Sequence, residues 1–225
     1  MYIFYGHESK SVTPISNVYK KIRDQRHLYD LLSDIWCKYS CAPRMRIMWS
    51  ESNKTLGQCS ITSFLVQDIF GGEVFGVPLS GGGVHCFNVI GEVEFDLTSE
   101  QFGDEKLVYT HKYPQSREEH FLDEDKKARY LYLKKELLKK LLELHKVGNT
   151  IVSTNEEGKI VASISFKVEG NVFTIEHTFV SDEYRGEGIA SILVEEAVNY
   201  IDSVNGKIKA TCSYAREWLK KHGRD

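Results

Sequence analysis

Two groups of residues in this chain are of the types, and at the spacings, that chemistry needs. The first is Arg185-Gly186-Glu187-Gly188-Ile189-Ala190, which joins an apolar, β-rich segment at residues 172–180 to a helix-like segment at residues 189–205. Gly186 and Gly188 let the backbone approach a ligand closely. A loop that ends on a helix start aims free N–H groups and the positive end of the helix dipole at an anion. Arg185 adds a fixed charge suited to phosphate. The run reads as a diphosphate cradle, with a plain strand-to-helix turn as the alternative.

The second group is a thiol, a histidine and an acid. Gly57-Gln58-Cys59-Ser60 leads into an apolar run with helical spacing, so Cys59 sits at a helix N-terminus, a position that stabilises thiolate. His85 and Asp96 lie downstream. If Ile90-Gly91 is a two-residue hairpin turn, Val89 pairs with Glu92 and His85 with Asp96, close enough for their side chains to touch. Asp96 would orient His85, His85 would take the proton of Cys59, and Gln58 would donate to an oxyanion. Bland readings stand beside this one: a small buried cysteine, a satisfied strand histidine, an aspartate serving a turn. Cys86 should point to the opposite face of the strand from His85, which makes it a poorer nucleophile.

The elements that must position these groups follow from periodicity. Residues 23–39 carry Leu28, Leu31, Leu32, Ile35 and Trp36 at a helical period, ended by Cys41-Ala42-Pro43. Residues 60–70 form a helix stopped by Gly71-Gly72. Residues 79–84 are a flexible loop, and 85–90 and 92–97 are strands. Thr98 with Gln101, and Ser116 with Glu119, are capping-box patterns. A long charged helix over residues 123–146 ends at Gly148-Asn149, which marks the boundary between domains at 1–146 and 147–225. Strands at 151–153, 160–167 and 172–180, the helix from Ile189, a strand at 207–212 and a helix at 214–222 complete an α/β layer. The fold class expected is α+β in two domains.

The bulk numbers narrow the setting. The 225 residues are 41% hydrophobic and 27% charged, ordinary values for a soluble protein. A net charge of −3 provides no general drive toward nucleic acid or an anionic membrane. No apolar run is long enough to span a bilayer, and the first residues lack a secretory pattern. Five cysteines at unpatterned spacings imply reduced thiols, a cytoplasmic location and no metal site.

The C-terminal part resembles the GNAT superfamily of acetyltransferases, and within it the small YjdJ-type branch. The motifs are His177-Thr178-Phe179-Val180, the Arg185–Ala190 loop, and Cys212-Ser213-Tyr214 with Trp218 and His222 after it, over about residues 148–225. The resemblance implies acetyl-coenzyme A as cosubstrate. Its diphosphate would meet the amides of Arg185, Gly186, Glu187, Gly188, Ile189 and Ala190, and its pantetheine would run beside Phe179 and Val180. Glu176 or His177 would accept the proton of an amine, in a small molecule or a protein. Tyr214 would protonate the leaving thiolate, or Cys212 would carry the acetyl group transiently. Packing roles for His177, Cys212 and Tyr214 remain the alternatives.

The N-terminal part resembles the YunG family of bacterial proteins over roughly residues 20–145. The resemblance is carried by Trp49-Ser50-Glu51-Ser52-Asn53, Gly57-Gln58-Cys59-Ser60-Ile61-Thr62, residues 67–73, His85-Cys86-Phe87-Asn88, residues 96–102 and Ser116-Arg117-Glu118-Glu119. Where that family often has an aromatic residue after the histidine, this chain has Cys86. The order Cys, His, Asp also looks like papain-like and transglutaminase-like thiol folds. The function expected is therefore an acetyl-coenzyme A-dependent N-acyltransferase joined to a Cys-His-Asp domain. The alternatives are a thiol amidase or transglutaminase-like enzyme using Cys59, and a non-catalytic coenzyme A-binding module.

Overall fold

The computed structural model describes residues 2–224. The chain separates into two compact units, residues 1–137 and 138–225. Among the described residues, no helix is long and apolar enough to cross a membrane.

In the first unit, helix α1 (Gln25–Ser33) begins where the Asp24 side chain accepts from the amides of Arg26 and His27. It is shorter than the expected 23–39. The amides of Ile35 and Trp36 both fold back on the Leu32 carbonyl, so these two apolar residues are buried from a turn and not from a helix. Helix α2 (Cys59–Phe70) buries residues around most of its circumference, including Ile61, Phe64, Leu65 and Val66, and is the central helix of the unit. It stops at Gly71, which stands at φ 75.

Strands β1 (Glu73–Pro78), β2 (Val84–Ile90), β3 (Val93–Phe95) and β4 (Tyr113–Pro114) form an antiparallel sheet in the order β3-β2-β1-β4. Strand β1 is not foreseen by the sequence pattern, although Val74 and Val77 are core residues. The β2–β3 hairpin corrects the expected register. Its turn is Gly91-Glu92 with Ile90 opposite Val93, so Asp96 is not directly opposite His85. The shift is by two residues, which keeps every side chain on its face, whereas a shift by one would have sent Asp96 to the other side. Asp96 lies just beyond β3 and bridges to Tyr5, whose carbonyl accepts its amide at 2.9 Å.

Of the two capping patterns, Ser116 caps α3 (Arg117–His120) by accepting from the Glu119 amide. Thr98 precedes only a short 3-10 turn, Ser99–Phe102, and its hydroxyl makes no cap. Helix α4 (Glu124–Leu142) ends four residues before the expected residue 146. Glu143 turns out of the helix at φ 47, and β5 (His145–Val147) follows. Gly148-Asn149 is thus a hairpin turn, joining Val147 to its partner Thr150, and not a helix stop. The β-branched run from Thr150 to Val152 offers β5 a ladder to pair with, which outweighs continued helix.

The second unit holds a five-stranded sheet in the order β5-β6-β7-β8-β9, with β6 (Thr150–Thr154), β7 (Ile160–Glu169), β8 (Val172–Val180) and β9 (Lys207–Ala210). The first four strands are antiparallel neighbours, and β9 runs parallel to β8. The crossover between them is α5 (Ile189–Ser203), and α6 (Ser213–Lys221) closes the chain. Leu193, Ala197 and Ile201 of α5 are fully buried, as are Ala162, Ile164 and Ile175 of the sheet.

Gly6 ties the N-terminal segment to the end of β3. It stands at φ 76, and a Cβ there would fall 2.3 Å from the Glu94 carbonyl oxygen and 2.8 Å from the Phe95 Cα. Left-handed strain of roughly 1–2 kcal/mol would add to that clash. Gly6→Ala is expected to lower unfolding stability by about 2 kcal/mol or more in a urea titration. Unchanged stability would mean that this segment adapts freely and does not hold Asp96.

Candidate functional site

The first unit brings Cys59, His85 and Asp96 together. Cys59 is the first residue of α2 and is partly exposed. His85 and Asp96 are each 1% exposed, and His85 Nε2 lies 2.5 Å from Asp96 Oδ2. A buried carboxylate must be fully hydrogen-bonded to be tolerated. Asp96 accepts from the Thr98 amide and the Thr98 hydroxyl, both at 2.9 Å to Oδ1, and from the Tyr109 hydroxyl at 2.8 Å to Oδ2. This explains why Thr98 does not cap: its hydroxyl serves Asp96. Tyr109 is held in turn by stacking on Tyr5, with ring centroids 3.9 Å apart. Phe102 meets the His85 ring edge-on at 4.9 Å.

The electrostatics follow from this packing. Burial alone would push His85 down, but the Asp96 carboxylate and the Cys59 sulfur outweigh it and raise its pKa to about 10. The Cys59 thiol is held well below its ordinary value, first by a hydrogen bond from the Cys86 thiol, then, against burial, by the His85 charge and a bond from His85. Nε2 of His85 being given to Asp96, Nδ1 is the nitrogen left for the thiol, and it is buried without a hydrogen-bond partner. Both shifts run in the direction that favours a thiolate beside an imidazolium, with the carboxylate behind them.

Two expectations about this site change. Gln58 is fully buried, its amide nitrogen donates to the Cys37 carbonyl at 3.1 Å, and its Oε1 has no partner, so its donor is turned into the protein. Cys86 does face away from His85, but α2 lies on that face too: Asn88, two residues on, donates to the Ser63 carbonyl within α2. Cys86 thus meets the start of the helix, and the nearby Cys59 sulfur pushes its thiol well above the ordinary value.

His120 and Tyr109 belong to the same neighbourhood and were not singled out from sequence. His120 packs on Phe64 at 4.8 Å and its Nε2 is buried without a partner. Burial, then the nearby Lys126, hold its pKa down to about 4, against an opposing effect of the Cys59 charge. The only sequence signal for His120 is its place directly after the Ser116 capping box.

In the second unit, β8 and β9 pair only as far as Ile175 and Ala210. There the amides of Thr211 and Cys212 both turn to the Ile175 carbonyl, at 2.9 and 3.2 Å, and the strands part. Residues 177–180 of β8 keep their pairing with β7, but from residue 176 on the strand has no ladder partner on the β9 side. A bulge at Ser165/Phe166 leaves Glu176 as the extra residue of β8. The expected alternation of Glu176 and His177 is therefore broken, and both are exposed.

The Arg185–Ala190 loop has the shape of an anion site. Gly186 and Gly188 stand at φ 86 and 84, and a Cβ on either would meet nothing within 4 Å. Gly188 is the N-cap of α5 and supplies no side-chain cap, so the first-turn amides of Ile189 and Ala190 keep their donors. The Ile189 side chain itself is core. The Arg185 guanidinium holds Asp182 at 2.7 Å and the Val180 carbonyl at 3.2 Å, an exposed arrangement that costs little to rearrange. Phe179 is exposed beside the parted strands. The Cys212 thiol bonds the Thr178 hydroxyl at 3.5 Å. Burial opposes its ionisation, but amides at the start of α6 and Thr178 outweigh burial and lower its pKa. Burial raises the Tyr214 hydroxyl, with a smaller opposing bond to Ser191.

Comparisons with known proteins divide the chain in the same way. Residues 24–142 match the YunG protein family and residues 151–225 match the GCN5-related N-acetyl-transferase family. Uncharacterized protein YunG of Bacillus subtilis (strain 168) is 37% identical over 97 residues, covering 43% of this chain and 77% of that protein. A GCN5-like protein of Staphylococcus aureus, solved by NMR, is 34% identical over 36% of this chain and 80% of its own, with a TM-score of 0.32. An acetyl-transferase-like protein of Pyrococcus furiosus is 22% identical over 50% of this chain and 75% of its own, with a TM-score of 0.28. The C-terminal unit has a GNAT-like N-acetyltransferase fold, and through the match that spans more than half of its length the chain belongs to the YunG family.

Proposed function

We propose that the second unit is an acetyl-coenzyme A-dependent N-acetyltransferase. The observation that carries this reading is the parting of β8 from β9 beside an uncapped helix start. The residues fit the cosubstrate: two glycines open to solvent, free first-turn amides and a releasable arginine suit a diphosphate, and the unpaired strand edge at residues 176–180 suits the amides of a pantetheine arm. Acetyl-coenzyme A supplies an activated thioester. The chain's own residues do the rest. Glu176 or His177 accepts the proton of the attacking amine, so that it is neutral when it reacts. Tyr214, its hydroxyl kept protonated by burial, returns a proton to the departing thiolate. The alternative to direct transfer uses Cys212: its sulfur would take the acetyl group from the thioester as the coenzyme A thiolate leaves, and then pass it to the amine.

A second reading is favoured by a separate observation, the buried carboxylate–imidazole–thiol series of the first unit. A cysteine at a helix start with His and Asp on and beside adjacent strands supports a thiol enzyme of the kind the order Cys, His, Asp suggests. Cys59 would attack an amide carbonyl to form a thioester, and His85 would give its proton to the departing amine. First-turn amides of α2 would meet the oxyanion. Water or a second amine would then release the acyl group.

For the first reading, calorimetry is expected to detect acetyl-coenzyme A binding, reduced by roughly tenfold or more in Arg185→Ala and abolished in Gly188→Trp, whose side chain would fill the cradle. Equal binding by both variants would remove the proposed site.

For the second reading, alkylation of Cys59 can be followed peptide by peptide across pH. An ordinary thiol gains nearly tenfold in rate per pH unit below about 8.5. Cys59 should change less than about twofold between pH 6 and 8, and His85→Ala should restore the ordinary slope. The stability signs agree. His85, raised from 6.5 to about 10, contributes stability that is complete below 6.5 and lost as pH rises through about 10. Cys59, held below 9.0, contributes stability present above that value and lost as pH falls through its folded one. Asp96→Asn should move the alkaline loss toward 6.5. A wild-type Cys59 that alkylates as slowly as Cys41, whose thiol burial pushes up, would rule out the thiolate.

A further inference from the structure

The start of α2 faces a second cysteine, Cys86, that neither reading uses. Cys86 is 4% exposed, on the β2 face that Asn88 ties to the Ser63 carbonyl, so two residues back along the strand it lies level with the start of α2, one turn before Ser63, where Cys59 sits. Cys59 itself is partly exposed. The other cysteines are engaged elsewhere: Cys37 with the Tyr132 hydroxyl at 3.5 Å, Cys41 with the Ala42 carbonyl at 3.5 Å, and Cys212 in the other unit. A partly exposed cysteine beside a buried one is the arrangement of an oxidisable cysteine and its resolving partner.

We propose that Cys59 and Cys86 are a hydroperoxide-modified pair that closes to a reversible disulfide. The inference rests on the Cys59 thiolate described above. In the first step the Cys59 sulfur attacks one oxygen of hydrogen peroxide. An S–O bond forms, the O–O bond breaks, and the departing hydroxide takes the His85 proton to leave as water. Cys59 is then a sulfenic acid, oxidised by two electrons while the peroxide is reduced. In the second step the Cys86 sulfur attacks the Cys59 sulfur. The S–S bond forms, the S–O bond breaks, and hydroxide leaves as water with the Cys86 proton. The Cys59 thiolate keeps the Cys86 thiol protonated, so Cys86 is held in reserve until that charge has been consumed. An external dithiol would reopen the bond by exchange. The pair would spare the nucleophile from the irreversible sulfinic state.

The test uses the full chain and hydrogen peroxide. Wild type is expected to lose the mass of two hydrogens, to yield a crosslinked peptide joining Cys59 and Cys86 on non-reducing digestion, and to regain alkylatable Cys59 with dithiothreitol. Cys86→Ser and Cys86→Ala, checked for native fold by near-UV circular dichroism, should instead give a dimedone adduct on Cys59. On longer exposure they should retain roughly tenfold less recoverable thiol than wild type. If both variants unfold, the wild-type crosslink map decides alone. Rapid alkylation of wild-type Cys59 without the crosslink overturns this inference and leaves the thiolate standing. Cys59 inert to peroxide and iodoacetamide alike overturns both.

Discussion

A carboxylate buried at Asp96 constrains everything around it in the first unit. Its oxygens need donors, and four are supplied from three directions: Thr98 with two, Tyr109 and His85. Each donor fixes an element. Thr98 gives up a helix cap, Tyr109 brings the loop after the Ser99–Phe102 turn back across the sheet, and the Asp96 amide draws in Tyr5 from the chain's beginning. With so many groups converging, the imidazole has little freedom to rotate, and its Nδ1 is left for the one thiol at the start of α2. Removing one member of such a buried charged pair typically costs about 3–5 kcal/mol, because the other charge is left unpaired. The network therefore stabilises the fold and tunes the thiol through the same contacts.

The second unit depends on an interruption, not on a network. Parallel pairing of β8 with β9 would bury the strand edge if it continued, and the two amides that converge on the Ile175 carbonyl stop it there. The bulge at Glu176 bends β8 at the same level. Unpaired backbone groups on an edge strand are a liability unless something covers them. A ligand with its own amides is one such cover, which links the break in the sheet to the proposed cosubstrate.

Much of this could be read in the sequence where the signal was local. Gly186 and Gly188 announce their loop, the Ser116 box caps its helix, and the apolar run after Cys59 sets α2. The parts that failed depend on competition between distant groups. The β2–β3 register came out two residues off because a two-residue turn could be placed at Ile90-Gly91 or at Gly91-Glu92, and hydrophobic pattern alone cannot separate shifts that preserve the face. The end of α4 was missed because β5 exists only through its partner β6. Tyr109 and His120 reach the site from loops and short turns without periodicity, so no pattern marked them.

The two units share one device and fill it differently. Neither α2 nor α5 has a side-chain cap, since Gln58 and Gly188 leave the first-turn amides unanswered. At α2 the chain places its own thiol, Cys59, as the first residue of the helix, with a pKa held below the ordinary value. At α5 the glycine cap removes every side chain that could do the same, and the open space around Gly186 and Gly188 leaves the place to an anion from outside. A helix start without a cap loses on the order of 1 kcal/mol relative to one with Ser or Asp. In one unit the shifts of Cys59 and His85 run in the direction that offsets that loss, and in the other the space a Cβ on Gly186 or Gly188 would enter is open. The first site thus holds its charge partners within the fold, whereas the second leaves that place open to the cosubstrate proposed for it.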